Sequence, residues 1–279
     1  MTWHRGVVLK STRELSVMRE AGRINALALL AALKLVRPGV TTAEVDAAAT
    51  EVLEQHGAKA AFLGYPGAYP YPAVTTISIN EELVHGIPGK RQLLEGDIVS
   101  IDCGCVVEGF VADSALTVGV GEISEEARQL LDVTQASLFE GIARMKVGNR
   151  TGDVSSAIQT YVEGQSFNVV RDYTGHGVGR SMHEDPQVPN YGTAGKGLEL
   201  KAGMTIALEP MVLAGKPETK VMDDQWTVAS RDGRLTAHFE HTVAVTRNGP
   251  LVLTALDHDL DGEEAFHYND YFVGRVQPA

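Results

Sequence analysis

Cysteine occurs only twice, at Cys103 and Cys105, which excludes a fold stapled by disulfides. The two sit on alternate residues of one apolar stretch, and that backbone spacing suits a disulfide poorly. The expectation is a reduced, cytoplasmic compartment. Basic charge is also in deficit: 24 Lys and Arg stand against 36 Asp and Glu, for a formal net charge of −12. That balance disfavours nucleic acid or an anionic membrane surface as the principal partner, and no nucleic-acid motif is found. Long apolar runs are missing too. The richest, Ile24 to Val36, contains Asn25 and Lys34 and is too short to span a bilayer. Arg5, Lys10, Arg13 and Glu14 interrupt any signal-like run near the start. No low-complexity linker divides the chain, so one domain over residues 1–279 is expected, with a short arm at 1–10 and a tail at 256–279.

What is present is regular punctuation. Ser11 with Glu14, and Thr41 with Glu44, form capping-box patterns that open two helices. Leu15, Met18, Ala21, Ile24, Leu27 and Leu30 repeat at helical spacing behind the first, and Pro38-Gly39 ends it. The second is expected to end near Gly57. Ser124 opens a third helix running to about Val147, followed by Gly148. Laying Gly39 on Gly148 brings Thr42 onto Thr151, Glu44 onto Asp153, Val45 onto Val154 and Ala48 onto Ala157. A long helix, a glycine turn and a Thr-capped helix are thus expected twice, the mark of a duplicated half. Short β-rich segments are expected at 77–79, 98–101, 106–111, 205–208, 227–229 and 242–245, with hairpin turns at Asp232-Gly233 and Asn248-Gly249. Runs of helices alternating with runs of strands favour an α+β architecture.

Five potential metal ligands stand in separate, well-formed contexts. Asp102 ends the apolar segment DIVSID, and Asp113 follows further along the same β-rich region. A hairpin turning near Val107 and Glu108 places the two opposite each other, about 5 Å apart at Cβ. Carboxylates that close repel unless they are protonated or share cations. His176 lies in GHGVG, which lacks the Lys-Ser/Thr ending of a phosphate loop, and His183 follows in MHEDP. Glu209 precedes Pro210 in TIALEPMV, and Glu240 starts a strand in AHFEHTVAV. Acids on nearly apolar strands need partners, and the surrounding sequence offers few Arg or Lys. Four hard carboxylates and one imidazole exceed a four-coordinate structural zinc site and suit a pair of divalent ions.

These segments also carry a family resemblance. NEELVHGIP, DIVSIDCGCVVEGFVADSA, GHGVGRSMHEDPQVPNY, ALEPMV and FEHTVAV, in order across residues 10 to 255, resemble the type I methionine aminopeptidases. The resemblance implies the pita-bread fold, an antiparallel-rich curved sheet covered by helices with an internal pseudo-two-fold repeat. It implies removal of the initiator methionine from nascent chains whose second residue is small, by a hydroxide activated between two metals. By motif, Asp102 would hold one metal, Asp113 and Glu240 would bridge, and His176 and Glu209 would hold the other. Cobalt, manganese, iron and zinc all suit such donors. Glu209 would also accept a proton, His183 would stabilise the oxyanion, and His85 in VHGIP would steady the substrate amide or protonate the leaving amine.

Phe62, Tyr65, Thr76, Tyr173, Met182 and Trp226 would line an apolar methionine pocket. Two positions depart from the pattern: Met182 stands where phenylalanine is common, and Thr76 where cysteine is often found. The segment LGYPGAYPYPAV is longer than usual, so either Tyr69 or Tyr71 takes the second aromatic place. The stretch from Glu209 to Glu240 is too short to hold the helical insertion of type II relatives. The chain begins almost at the catalytic segment, without the SH3-binding or zinc-finger extensions of some type I relatives. The weaker alternatives are a proline-directed peptidase of the same fold, a metal-free binding protein on that fold and a two-metal phosphatase. A monomer with transient ribosome association is the expected working form. Asp257, Asp259 and Asp261 match half of a calcium loop, but position twelve is Tyr268, so an exposed acidic turn is expected.

Overall fold

The structure is a computed structural model that describes residues 4–255. The acidic segment at 257–262 lies outside them. In chain order the first half holds β1 (His4–Val7), α1 (Thr12–Leu33), α2 (Thr42–Gln55), β2 (Lys59–Ala60), β3 (Thr75–Ile79), β4 (Glu82–Val84), β5 (Ile98–Val107) and β6 (Phe110–Gly119). The second half holds α3 (Glu125–Arg144), α4 (Thr151–Gly164), β7 (Asn168–Val169), β8 (Thr174–Gly177), β9 (Glu184–Pro189), β10 (Thr205–Leu208), β11 (Met211–Leu213), β12 (Thr219–Val221), β13 (Val228–Ser230), β14 (Thr236–His238), β15 (Glu240–Thr246) and β16 (Gly249–Val252).

Both capping boxes form. Ser11 Oγ accepts the Glu14 amide, and Glu14 Oε2 accepts the Ser11 amide at 2.9 Å. Thr41 and Glu44 repeat this for α2, closing two orphan donors at each helix start. The helices stop earlier than their sequence punctuation implies. α1 ends at Leu33, because the Leu35 and Val36 amides turn back to the carbonyls of Ala32 and Leu33 well before Pro38.

The duplication is visible bond by bond. α2 and α4 are both 14 residues long, and their first residues, Thr42 and Thr151, are the pair that the Gly39–Gly148 alignment superposes. Glu44 accepts the Thr41 amide at 2.8 Å, and Asp153 accepts the Arg150 amide at 2.7 Å. Thr42 Oγ1 accepts the Gly89 amide at 2.8 Å, and Thr151 Oγ1 accepts the Leu198 amide at 3.1 Å, with donor and acceptor both displaced by the same offset. The main sheet runs β1-β9-β8-β10-β15-β6-β5-β2, with β3 also on β5 and β16 also on β15. Its β15–β6 seam relates the halves: β6, β5 and β3 on one side answer β15, β10 and β8 on the other. Every pair is antiparallel except β1–β9, so part of the expected N-terminal arm is a sheet strand.

Side-chain alternation on this sheet separates core from site. Ile101, Cys103 and Cys105 of β5 and Ala112, Leu116 and Val118 of β6 join the core beneath the helices, with Leu29 of α1 and Leu130 of α3. Asn25 Nδ2 donates to the Cys103 carbonyl at 2.7 Å and to Ser114 Oγ at 2.8 Å. Both cysteines are free and buried. The intervening residues, Asp102 and Gly104 on β5 and Asp113 and Ala115 on β6, face away from the helices.

Three sequence expectations are corrected. The β5–β6 turn falls at Glu108-Gly109, both with positive φ, so the expected strand 106–111 is divided by it. The turn centre therefore lies one residue further on. Asp102 pairs with Ala115 and Asp113 with Gly104, which makes the aspartates diagonal neighbours on one face instead of opposed partners. Asp232-Gly233 is no hairpin: β13 pairs with β12 and β4 while β14 pairs with β11, so this turn passes the chain between two small sheets. Asn248-Gly249 does join a paired hairpin, β15–β16.

Candidate active site

Five strands converge to place the acids and imidazoles. Asp102 is mid-strand on β5, level with Ala115 of β6, which is level in turn with Glu240 at the start of β15. Asp113 is on β6, His176 on β8 opposite Ala207 of β10, and Glu209 immediately follows β10. Ligand atoms of Asp113, His176 and Glu240 all lie within 4.8 Å of one another. His176 Nε2 stands 3.5 Å from Glu209 Oε1 and 4.0 Å from Asp113 Oδ2. Its Nδ1 donates to the Gly177 carbonyl at 2.9 Å, which leaves the Nε2 lone pair toward the carboxylates.

The cluster is electrically unbalanced as it stands. Among the described residues no Lys or Arg lines the cavity that holds it. Burial, and then repulsion from Asp113 and Glu209, raises the Asp102 carboxyl well above the usual range. Burial lifts Asp113 to about 7. Glu209 and Glu240 are raised well above their usual range by burial first and by neighbouring carboxylates second. Burial holds His176 and His85 down at about 4 and His238 at about 3, so these rings are neutral. Asp102 Oδ1, Asp113 Oδ1 and Glu240 Oε1 are buried with no hydrogen-bond partner. Orphaned carboxylate oxygens gathered around an imidazole nitrogen, with no basic side chain beside them, are a donor set that fits divalent cations.

Above this cluster opens a cavity of about 280 Å³. Its walls include Phe62, Tyr65, Thr76, Tyr173, Met182 and Trp226, together with His85 and His183, so every pocket residue named from the sequence borders one space. Tyr71 lines it as well, edge-on to Trp226 at 5.1 Å. Tyr69 stays outside, 37 % exposed, with its hydroxyl donating to the Asp224 carbonyl at 2.9 Å. The His183 ring packs 4.3 Å from that of His176, and its Nδ1 meets the Tyr65 hydroxyl at 2.6 Å. His85 is edge-on to Tyr173 and Trp226, at 6.1 and 6.4 Å.

The sequence reading missed several contributors. His238 is buried and lines the cavity, with Nε2 3.6 Å from Glu209 Oε2 and 3.8 Å from Glu240 Oε2. Its place two residues before Glu240 was the available signal, since alternate residues of an extended segment share a face. Val84 and Met211 add apolar wall from β4 and β11, and only the meeting of those strands brings them to the cavity. Behind the site, the buried pair Lys10 Nζ–Glu184 Oε2 at 2.6 Å anchors the loop carrying Met182 and His183, and Glu184 Oε1 also accepts the Arg180 and Ser181 amides. Nothing local to residue 184 points to Lys10.

Buried carboxylates and an imidazole converging beneath an aromatic cavity define a metal-dependent hydrolase. The model of metallopeptidase family M24 matches residues 16–247. A methionine aminopeptidase of Clostridium perfringens is 49% identical over 250 residues, covering 90% of this chain and 99% of that protein. Methionine aminopeptidase 1 of Bacillus subtilis is 49% identical over 248 residues, covering 89% and 99%. The crystal structure of the Thermotoga maritima methionine aminopeptidase superposes with a TM-score of 0.87 at 46% identity, over 90% of this chain and all of that one. The chain belongs to the methionine aminopeptidases of metallopeptidase family M24. A prolidase from Pyrococcus furiosus shares the fold at a TM-score of 0.73 and 24% identity, with this chain covering 66% of its length. The fold is the pita-bread fold that the motifs implied. Among the described residues no helix is long and apolar enough to cross a membrane.

Proposed function

We propose that the protein removes the N-terminal methionine from nascent polypeptides whose second residue is small, using two divalent ions. The observation that carries this reading is the meeting of Asp113, His176 and Glu240 within cation-sharing distance, with unpartnered oxygens, under an aromatic cavity sized for one side chain. In this reading Asp102, Asp113, His176, Glu209 and Glu240 would hold the ions between them. Manganese, iron, cobalt and zinc all suit the mixed carboxylate–imidazole donors. Bound divalent ions supply Lewis acidity and make a hydroxide nucleophile available near neutral pH.

The chain's own groups do the rest. Glu209 accepts a proton from the attacking water. The Tyr65 hydroxyl and His183 Nδ1 share a hydrogen bond of 2.6 Å; in the tautomer where the hydroxyl donates, His183 Nε2–H would donate to the carbonyl oxygen as its negative charge develops. His85, neutral because of burial, serves as a hydrogen-bond partner of the scissile amide, and Glu209 passes its proton to the leaving amine. Phe62, Tyr65, Tyr71, Thr76, Tyr173, Met182 and Trp226 surround the methionine side chain and exclude water. The enzyme works as a single-domain, cytoplasmic monomer that meets its substrate near the ribosome. Its free buried cysteines agree with a reducing compartment.

The test is release of free methionine from Met-Ala-Ser and Met-Leu-Ser by metal-stripped protein, with and without added manganese or cobalt. Metal-dependent cleavage of the alanine peptide, with the leucine peptide resistant, is expected. Absence of cleavage with every metal, or preference for an Ala-Pro peptide, overturns the reading.

A further inference from the structure

His85 has an unusual backbone. Its φ is +63°, in the left-handed region that a residue with a Cβ enters only at a cost. Such a conformation persists when its surroundings hold it in place. The restraint acts on the next peptide. Gly86 packs so closely on β3 that a Cβ there would run into the Ile77 carbonyl. The Ile77 amide donates to the Gly86 carbonyl at 2.8 Å, and the Gly86 amide donates to Ser78 Oγ at 3.1 Å. The remaining lone pair of the Gly86 carbonyl receives the Tyr71 hydroxyl at 2.8 Å, with the Thr75 carbonyl at 3.1 Å from the same oxygen.

Tyr71 reaches His85 by a second route. Its ring stands edge-on to Trp226, and Trp226 stands edge-on to the His85 imidazole. Tyr71 is almost fully buried, at 2 % exposure, and burial pushes its hydroxyl's pKa upward, so the phenol remains a donor. One side chain therefore holds the carbonyl of the residue after His85 and packs on the ring beside it.

We infer that Tyr71 is a positioning residue for His85: its hydroxyl on the Gly86 carbonyl holds the left-handed turn that aims the imidazole at the substrate. This rests on the substrate-binding role of His85 proposed above. Tyr69 also stands edge-on to Trp226, at 6.3 Å, but its hydroxyl is spent on the Asp224 carbonyl and does not reach Gly86.

The experiment is a double-mutant cycle on metal-loaded enzyme with Met-Ala-Ser, combining Tyr71→Phe with His85→Ala. Tyr71→Phe keeps the ring and removes only the hydroxyl. A fall in kcat of about tenfold is expected, with KM within about twofold and metal content unchanged, because an ångström-scale misplacement of a reacting group costs rate. In the His85→Ala background the same change is expected to do nothing further. Ser78→Ala, which frees the Gly86 amide on the other side of the same residue, in the His85–Gly86 peptide, is expected to show the same non-additivity and stands in if Tyr71→Phe fails to fold. Tyr69→Phe is the control, with kcat unchanged in both backgrounds. Equal effects of Tyr71→Phe with and without the imidazole overturn the inference, as does a change in KM alone. Full activity of His85→Ala overturns the role of His85 itself, and that result is read from the single variant.

Discussion

Stripping the metal is expected to leave a protein whose stability falls as pH rises from 6.5 to 8.5. With no cation bound, burial is the chief cause that holds the four site carboxyls above their usual range. The unfolded chain has released these protons by about pH 5, whereas the folded chain keeps them. The folded state therefore binds more protons, and stability is lost as pH climbs through the folded values. The buried imidazoles act in the opposite sense. Their pKa values are held down, so they add stability as pH rises, but only to about 6.5, where unfolded histidine is itself neutral. Above that point the carboxyl contribution stands alone.

For Asp113 a rise from 3.8 to about 7 corresponds to about 4 kcal/mol in full. Roughly 1 kcal/mol of this falls between pH 6.5 and 8.5, and Asp102, Glu209 and Glu240 add to it with the same sign. For a chain of this size that is a drop in Tm of at least about 2–4 °C. Calorimetry of chelator-treated and manganese-loaded protein across this range reads it directly. The loaded protein should be higher melting, with a gap that widens as pH rises, since metal displaces the protons that the bare site retains. Asp113→Asn should flatten the slope of the stripped protein. A stripped Tm that is constant or rises between pH 6.5 and 8.5 would refute the account of the site as an uncompensated carboxylate cluster.

Three further outcomes follow from named contacts. His176→Ala and Glu209→Ala should each lower methionine release by at least about 10²-fold while leaving the protein folded, because each removes a proposed ligand and leaves the apolar core untouched; normal turnover in either contradicts the ligand assignment. His238→Leu should weaken metal binding by about 10- to 100-fold in calorimetric titration, since the imidazole whose Nε2 stands 3.6 Å from Glu209 Oε2 is then lost; unchanged affinity would show that His238 merely fills space. Gly67→Ala should raise KM for methionine peptides and shift tryptophan emission, because the added methyl runs into the Trp226 ring, at a stability cost of about 1–3 kcal/mol; an unaltered KM would show that the 66–70 segment yields without moving the indole.

Much of this was legible in sequence for local reasons. Capping boxes declare helix starts through contacts three residues apart, and Thr41–Glu44 and Ser11–Glu14 form as written. Helix ends were less legible, since nothing in the Leu33–Val36 stretch marks where the turn tightens. The internal repeat was sparse in identities. It became unmistakable once Thr42–Gly89 and Thr151–Leu198 proved to be the same bond made twice. The acids were legible because a carboxylate on an apolar strand needs a partner.

The sequence alone therefore supplied the candidate donors, the starts of α1, α2 and α3 and the family, all of which depend on residue type and short spacing; α4 is capped by Arg150 and not by the threonine expected from the repeat. Tertiary structure decided what depends on register and on strands meeting from distant parts of the chain. A single residue's displacement of the β5–β6 turn made Asp102 and Asp113 diagonal instead of opposed. The folding of an unusually long segment chose Tyr71 over Tyr69 for the cavity. Lys10 came to Glu184 from the far end of the chain, and His238 came to Glu209 by the packing of β14 and β15 against β10 and β11. Such pairings have no local energy to announce them. They are fixed only when the sheet closes and each buried polar group takes the partner left within reach.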